Sequence, residues 1–553
     1  MIFYGDHIEE VAPAAMIEGL DRRLQAMAVE QGLARHARLV SAFIDLGRLT
    51  QAVADAGLVV AEAACMSALM ELARSVLASW DSDFAISTPP PVMPGDLAMP
   101  ASLNLRLPEG YAFYALYPEA YIAAARRLCL GGPVRVIGIR SIGTSLAALV
   151  AVVLGAPPPV TVRPHGYPFD RRVTLEGGDL GPADACYVVV DEGPGLSGSS
   201  VVAVVDALAS HGVARDRIVL MPGHGGGPGA EAGAHHRATW ATTRVEAADA
   251  GVVVDRLHGW AETLLGPLDS PLQDVSGGSW RGFRWPDEAD WPATGPMRER
   301  LKFIARADGS LWLLRFVGLG AEGEVKLARA RLLHAQDLVP EPLGLVHGFL
   351  VERWCYAVAP VGKPLARIGT YLGHRARLFP QRGGASLDAL FDMARANAAE
   401  ALGPTRAASF DRWRPLLPEL TARTLPVAID GRCQRHKWLA LADGRLLKAD
   451  SHDHARGHDL IGPQDIAWDC AGVAVEFDLS AAEQRKLVAV VAQVAGRAVD
   501  AELTAFLTLC YLGFRLGEHA LNAAALPGWP AEAARNAAAA AAYADRLDTA
   551  LRR

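Results

Sequence analysis

Apolar positions in the first part of the chain recur three and four residues apart. Ala14 to Gln31, His36 to Ala56 and Val59 to Ala78 therefore each read as an amphipathic helix, with Pro13 where a first helical turn tolerates proline. Thr88 to Pro100 is a stiff, proline-rich connector. The rhythm then changes. Val134–Ile139, Tyr187–Val190 and Arg217–Met221 are short apolar runs of the kind that form strands buried on both faces of a parallel sheet. The first two lead through small residues into apolar stretches that open helices, Leu146–Leu154 and Val201–Leu208. Trp, Gly, Ser and Pro accumulate from Asp269 to about Gly295, which reads as a domain junction. Beyond it Arg300–Ala307, Leu311–Gly318 and Leu343–Arg353 alternate like antiparallel strands, with a helix at Glu322–Gln336. Past Leu479 the pattern is helical again, and the Ala-rich Ala531–Leu551 is expected to lie on the surface.

Composition narrows the class. A chain of 553 residues exceeds one core, so two or three domains are expected. Hydrophobic residues at 51% and charged residues at 21% fit a soluble globular protein, and a net charge of −7 argues against nucleic-acid or anionic-membrane binding. The seven cysteines are odd in number and form no C-x-x-C pair, so they are expected to be reduced thiols in a cytoplasmic protein. The opening M-I-F-Y-G-D-H does not read as a signal peptide, and no apolar run reaches the ~18 residues of a membrane span.

The chemistry concentrates in Tyr187–Ser200, Y-V-V-V-D-E-G-P-G-L-S-G-S-S: a strand, two carboxylates, a Gly/Ser loop and a helix start. Unpaired amides at a helix N-terminus and small loop residues suit a phosphate. Adjacent carboxylates beside a phosphate suit the hydroxyls of a sugar. At these residues the chain resembles the type I phosphoribosyltransferases, with Asp191 and Glu192 as the acidic pair and Ser197-Gly198-Ser199-Ser200 as the 5-phosphate loop. Gly193-Pro194-Gly195-Leu196 makes the spacing one residue longer than that family's. The resemblance further implies pyrophosphate contacts from Arg140, Ser141, Gly143 and Thr144. It also implies a flap at residues 160–172, with Arg163, His165, Arg171 and Arg172 as candidate counter-charges. A plain strand–loop–helix, a tight turn and a solvated loop are the respective structural alternatives. His224, in the H-G-G-G run after the third strand, is a candidate acceptor contact. The aromatics Tyr111, Phe113, Tyr114, Tyr117 and Tyr121 suit core packing or stacking on a planar substrate.

The later half resembles the aminoglycoside phosphotransferases and protein kinases in its order strand, turn, strand, helix, strand. That resemblance implies nucleotide contacts from Lys302, Arg315, Glu352 and Trp354, a catalytic base at Asp430, and metal binding by His436 and Asp450 with a structural Asp469. It departs where a lysine is expected, since Arg315 stands there, and the usual His-Gly-Asp is missing. Asp450, His452, Asp453, His454, His458 and Asp459 also admit a separate metal site.

The expectation is thus an α/β chain: a helical cap (1–95), a type I phosphoribosyltransferase-like parallel sheet (96–270), and a two-lobed kinase-like α+β domain (285–553). The expected substrates are phosphoribosyl pyrophosphate, an acceptor the sequence does not identify, and ATP, with Mg²⁺ as cofactor; a homodimer is a candidate assembly. The alternative is a sensor whose ribosyl-phosphate pocket controls a degenerate kinase-like half.

Overall fold

The computed structural model describes residues 8–27, 31–86, 93, 97–296, 299, 301–451, 460–526 and 528–552. The expected connector and the stretch 452–459 fall largely outside them, so His452, Asp453, His454, His458 and Asp459 are not placed. The chain opens with a strand that periodicity does not show, β1 (Ile8–Val11), followed by α1 (Pro13–Ala26), α2 (Gly32–Asp55) and α3 (Val59–Asp81). Gly57, in the left-handed region at φ 70°, turns α2 back on α3. β1 is capped by antiparallel pairing with β2 (Leu103–Arg106).

Next come α4 (Glu109–Phe113), α5 (Pro118–Arg127), β3 (Val134–Ile139), α6 (Gly143–Leu154), β4 (Val160–Val162), the hairpin β5 (His165–Tyr167) and β6 (Asp170–Arg172), and β7 (Cys186–Val190). They are followed by α7 (Ser199–Ser210), β8 (Ile218–Met221), α8 (Ala234–Thr242), β9 (Arg244–Val245) and α9 (Gly251–Leu265). The sheet order is β4-β3-β7-β8-β9, and every pairing is parallel. Strand order reverses between β3 and β7, which makes their carboxyl ends the natural crevice of this sheet.

The remainder begins with a second five-stranded sheet, ordered β10 (Gln273–Asp274), β11 (Lys302–Ala307), β12 (Ser310–Phe316), β14 (Phe349–Arg353) and β13 (Pro342–Val346), all antiparallel. Helix α10 (Ala321–His334) lies between β12 and β13 in the chain. The single strand expected over Leu343–Arg353 is two, because His347 and Gly348 turn the chain with positive φ. A helical body follows: α11 (Leu365–Leu378), α12 (Leu387–Leu402), α13 (Pro404–Ala407), α14 (Leu417–Arg423), α15 (Ala467–Glu476), α16 (Ala481–Ala495), α17 (Ala501–Ala525) and α18 (Pro530–Leu551). Two short strand pairs interrupt it, β15 (Pro426–Val427) with β18 (Gln464–Asp465) and β16 (Trp438–Ala440) with β17 (Leu446–Lys448).

The stretch 269–295, expected as a domain junction, is packed: β10 extends the second sheet, and Trp280 and Arg281 are buried. Helix α18 is not merely laid on the surface, since it buries Asn536 and Leu547, and Glu532 pairs with Arg281 at 2.6 Å. One continuous core joins α2, the parallel sheet and the second sheet, taking in Phe43, Val188, Phe316 and Val351. A second core fills the helical body. Among the described residues no helix is long and apolar enough to cross a membrane. Five of the seven cysteines are buried and all are free.

Candidate functional site

Asp191 and Glu192 leave the carboxyl end of β7, and the loop after β3 lies beside them because Gly138 of β3 is in register with Val190. The contact is close. A Cβ on Gly143 would come within 2.6 Å of the Val190 carbonyl oxygen, and one on Gly138 within 2.3 Å of the Gly143 oxygen. Glycine at both positions is therefore what lets the two loops meet.

The acidic pair is fixed through its backbone. Tyr121 donates its hydroxyl to the Asp191 carbonyl at 2.7 Å, and Gly223 N–H donates to the Glu192 carbonyl at 2.8 Å. Burial pushes the Asp191 carboxyl up to about 7, against the lowering effects of the Glu192 amide and Arg163. Among the described residues Asp191 takes part in no ion pair. The Glu192 carboxyl packs on α4, where a Cβ on Gly110 would lie 3.0 Å from its Cδ.

The 5-phosphate loop candidate is shaped by its own contacts. Gly195 has φ 58° and its carbonyl accepts from Gly229 N–H at 3.0 Å, while Gly198, at φ 72°, caps α7. A Cβ on Gly193 would meet His224 Nε2 at 2.9 Å, which places His224 against the loop rather than over an open acceptor position. The hydroxyls expected to face phosphate turn inward. Ser197 Oγ donates to Ser199 Oγ at 3.0 Å, and Ser199 Oγ donates to the Pro168 carbonyl at 2.8 Å, latching the β5–β6 hairpin onto the loop. Ser197 and Ser199 are buried, the Ser199 amide donates to Ser197 Oγ at 3.2 Å, and Ser200 is half-buried, so the groups left for an anion are Ser200 and the amides of Ser200 and Val201.

The pyrophosphate candidates also depart from expectation. The loop has a cis peptide between Arg140 and Ser141, and the Ser141 carbonyl accepts from Thr144 N–H at 3.2 Å. Thr144 is buried and its Oγ1 has no partner among the described residues. The Arg140 side chain turns to Thr161 at 2.9 Å and toward Asp55 and Glu62 of the helical cap at 3.4 and 3.5 Å. Arg163 grips Asp55 at 2.6 Å and donates to the Arg140 carbonyl at 2.9 Å. Both guanidiniums are thus neutralised by cap carboxylates, a pairing that residues so far apart in sequence cannot announce. Asp55, although burial raises it, is held below its ordinary value by Arg163 and Gln51. Arg171 donates within the hairpin to the Pro164 carbonyl at 3.2 Å, while His165 and Arg172 are exposed. The aromatic cluster is mostly core: Tyr111, Phe113, Tyr117 and Tyr121 are buried and Tyr114 alone is exposed.

In the second half, Asp430, Asp450 and Asp469 converge below the antiparallel sheet. Asp469 accepts the amides of Asp430 and Gly431 at 2.7 and 2.9 Å, and burial with Asp430 alongside pushes it up. Asp430 accepts from Tyr371 Oη and lies 3.2 Å from Lys448 Nζ, a pair with no solvent exposure. Asp450 is met by Arg315 of β12 and by Lys437 Nζ at 2.6 Å. Burial pushes the Lys437 ammonium down to about 8, with Asp450 opposing. Glu352 stands 3.7 Å from Arg315, and Lys302 is engaged by Glu299.

His436, expected beside Asp450 as a metal ligand, lies in the turn just before β16. Burial, then Lys437 and Arg284, drive its imidazole well below the usual value, and its carbonyl accepts from Arg284 at 3.0 Å. Magnesium therefore does not fit Asp450 in this arrangement, because two side-chain cations already hold the carboxylate. Above it Trp280, Phe283, Trp285 and Trp354 pack on Ile304, Leu311 and Leu313. Residues 275–296 thus occupy the space between the sheet and the helical body. No sequence signal singled out Trp280 or Lys437.

No protein-family model matches the chain, and no curated relative was found. Solved structures show a partial likeness. A putative aminoglycoside phosphotransferase from Ralstonia eutropha is 10% identical over 54% of this chain and 97% of its own, with a TM-score of 0.37. The choline kinase LicA from Streptococcus pneumoniae is 12% identical over 45% and 89%, with a TM-score of 0.31. Macrolide 2'-phosphotransferase type I is 14% identical over 54% and 97%, with a TM-score of 0.33. Scores of this size carry no argument, so a functional reading rests on the chain's own geometry.

Proposed function

We propose that the carboxyl edge of the parallel sheet is a phosphoribosyl site and that the chain transfers the phosphoribosyl group of phosphoribosyl pyrophosphate to a nucleophile, releasing pyrophosphate. The observation that carries this reading is the juxtaposition of two loops at the point where strand order reverses, one bearing the adjacent carboxylates Asp191 and Glu192, with Asp191 in no ion pair among the described residues. Asp191 and Glu192 receive the ribose hydroxyls, Ser200 and the α7 amides receive the 5-phosphate, and the Ser141–Gly143 backbone faces the pyrophosphate. The β5–β6 hairpin, tied to the loop through Ser199 and Pro168, excludes water from a ribosyl centre that gains positive charge as the leaving group departs. Magnesium arrives bound to the pyrophosphate as part of the substrate.

The second half is read as a kinase-like fold on its strand order and its three aspartates. With Asp450 held by Arg315 and Lys437, this half is better suited to binding than to metal-dependent phosphotransfer. One observation favours the sensor alternative. Glu192 packs on α4, and α4 is bonded to the second half through Leu319 N–H and the Tyr111 carbonyl at 3.0 Å. Occupancy at Glu192 is one short helix away from α10.

Isothermal titration with magnesium phosphoribosyl pyrophosphate tests the reading. Wild type is expected to bind, and an Asp191→Asn, Glu192→Gln variant to lose at least about 100-fold, on the order of 3 kcal/mol. Equal binding by both proteins, or none by wild type, overturns it. Pyrophosphate release with an acceptor then separates transferase from sensor.

A further inference from the structure

Three side chains from distant parts of the sequence converge in the core. His36 lies on α2, Glu119 in the first turn of α5, and His347 in the turn between β13 and β14. His36 Nε2 is 2.7 Å and His347 Nε2 2.8 Å from the same oxygen, Glu119 Oε1. One ligand atom from each residue falls within a 4.8 Å cluster, and none of the three side chains is more than 1% exposed.

We propose that His36, Glu119 and His347 form a site for a divalent ion of the zinc class, which pins the helical cap, the parallel-sheet unit and the second sheet together. Two imidazoles and a carboxylate are a zinc donor set. An independent observation points the same way: Glu119 Oε2 is fully buried and has no hydrogen-bond partner among the described residues. A bare carboxylate oxygen in a closed apolar setting is costly, and an ion held by both oxygens removes that cost. The surroundings fit a metal shell. His36 Nδ1 lies 3.0 Å from Ser79 Oγ, so a ring with its proton on Nδ1 donates to Ser79 and turns the Nε2 lone pair inward. Tyr117 donates to the His347 carbonyl at 2.9 Å and fixes that turn, and Trp80, Phe84 and Trp260 wall the site against water.

Ion entry moves the three donor atoms, which lie within 4.8 Å of one another, onto a tetrahedral spacing. Donor atoms around a tetrahedral zinc with bonds of about 2.1 Å stand about 3.4 Å apart, so each ring withdraws from Oε1 by roughly 0.6 Å. Each ring shifts its proton from Nε2 to Nδ1, and no redox partner or other reactant is needed.

The test uses the full chain. Metal content is measured by mass spectrometry on protein purified without chelator. The stripped protein is then titrated with Co²⁺ by visible absorption and with Zn²⁺ by calorimetry. Wild type is expected to hold about one ion per chain, to show a cobalt ligand-field band, and to melt at lower temperature after stripping. Glu119→Gln and His347→Asn are expected to weaken binding about 100-fold or more, while a His452→Ala, His454→Ala control is unchanged. His347 sits at φ 37°, a backbone that asparagine tolerates, so this variant keeps the turn. Stoichiometric metal absent from wild type with no cobalt band, or binding lost in the control and kept in His347→Asn, overturns the proposal. The cluster is then a hydrogen-bonded ion pair.

Discussion

Asp191 and Asp450 each follow a short strand into a loop, yet their surroundings are opposite. Asp191 sits at the carboxyl end of the central strand β7 with no ion-pair partner among the described residues, and its carboxyl is pushed up to about 7 by burial. Asp450 is clasped by Arg315 and Lys437, and its neighbour Asp430 lies against Lys448. The difference separates two uses of a buried acid. A carboxylate kept without counter-charge costs stability and is maintained for something that arrives. One already neutralised from within the chain holds the fold, and must lose a partner before it can hold an ion.

The largest effect expected from this contrast is structural. Lys448→Met keeps side-chain bulk but leaves Asp430 without its cation, and urea unfolding at pH 7 should show a loss of about 3–5 kcal/mol. A change under about 1 kcal/mol would mean that Tyr371, the Arg432 amide and the nearby Arg375 suffice. At Asp191 the sign reverses. Because the folded Asp191 value lies above the unfolded carboxylate value of about 3.9, its favourable contribution is complete below about pH 4 and is lost as pH rises through 7. Asp191→Asn should therefore be more stable than wild type by roughly 1–3 kcal/mol at pH 8, with the gap closing toward pH 4. A gap independent of pH would break the comparison.

Smaller effects sharpen it. Arg315→Met removes one of the two cations on Asp450, and magnesium-dependent ATP affinity is expected to rise about tenfold, roughly 1.4 kcal/mol, by calorimetry. Unchanged affinity would show that Arg315 does not close this cleft. Ser199→Ala unlatches the β5–β6 hairpin. Phosphoribosyl pyrophosphate binding should weaken about threefold, with faster amide exchange across residues 165–172, since one hydrogen bond contributes roughly 0.5–1.5 kcal/mol.

Much of the architecture was legible because its signals are local. The runs V-R-V-I-G-I and Y-V-V-V are apolar on both faces and became β3 and β7. The 3.6-residue pattern gave α1, α2 and α3 within a few residues at each end, and the alternation after Arg300 gave β11 and β12. Pairings across long separations were not legible. Arg140 and Arg163 look like free anion-binding cations in sequence, and only the fold brings Asp55 to them. Tryptophans 280 and 285 read as linker because turn residues surround them, although the antiparallel sheet supplies an apolar face for them to cover. His36, Glu119 and His347 carry no motif, since each comes from a separate element and their relation exists only after packing. Strand β10 was missed because two residues offer no period to read.

The bond between Arg281 and Glu532 spans 251 residues of chain. At synthesis rates of about 5–20 residues per second, the carboxylate emerges roughly 13–50 s after its partner. During that interval Arg281 has the carbonyls of Gly278 and Pro292 and the face of Trp291 to answer its charge. The segment that fills the space beneath the antiparallel sheet is thus secured by a residue made 251 positions later, and the order of translation becomes part of how that region matures.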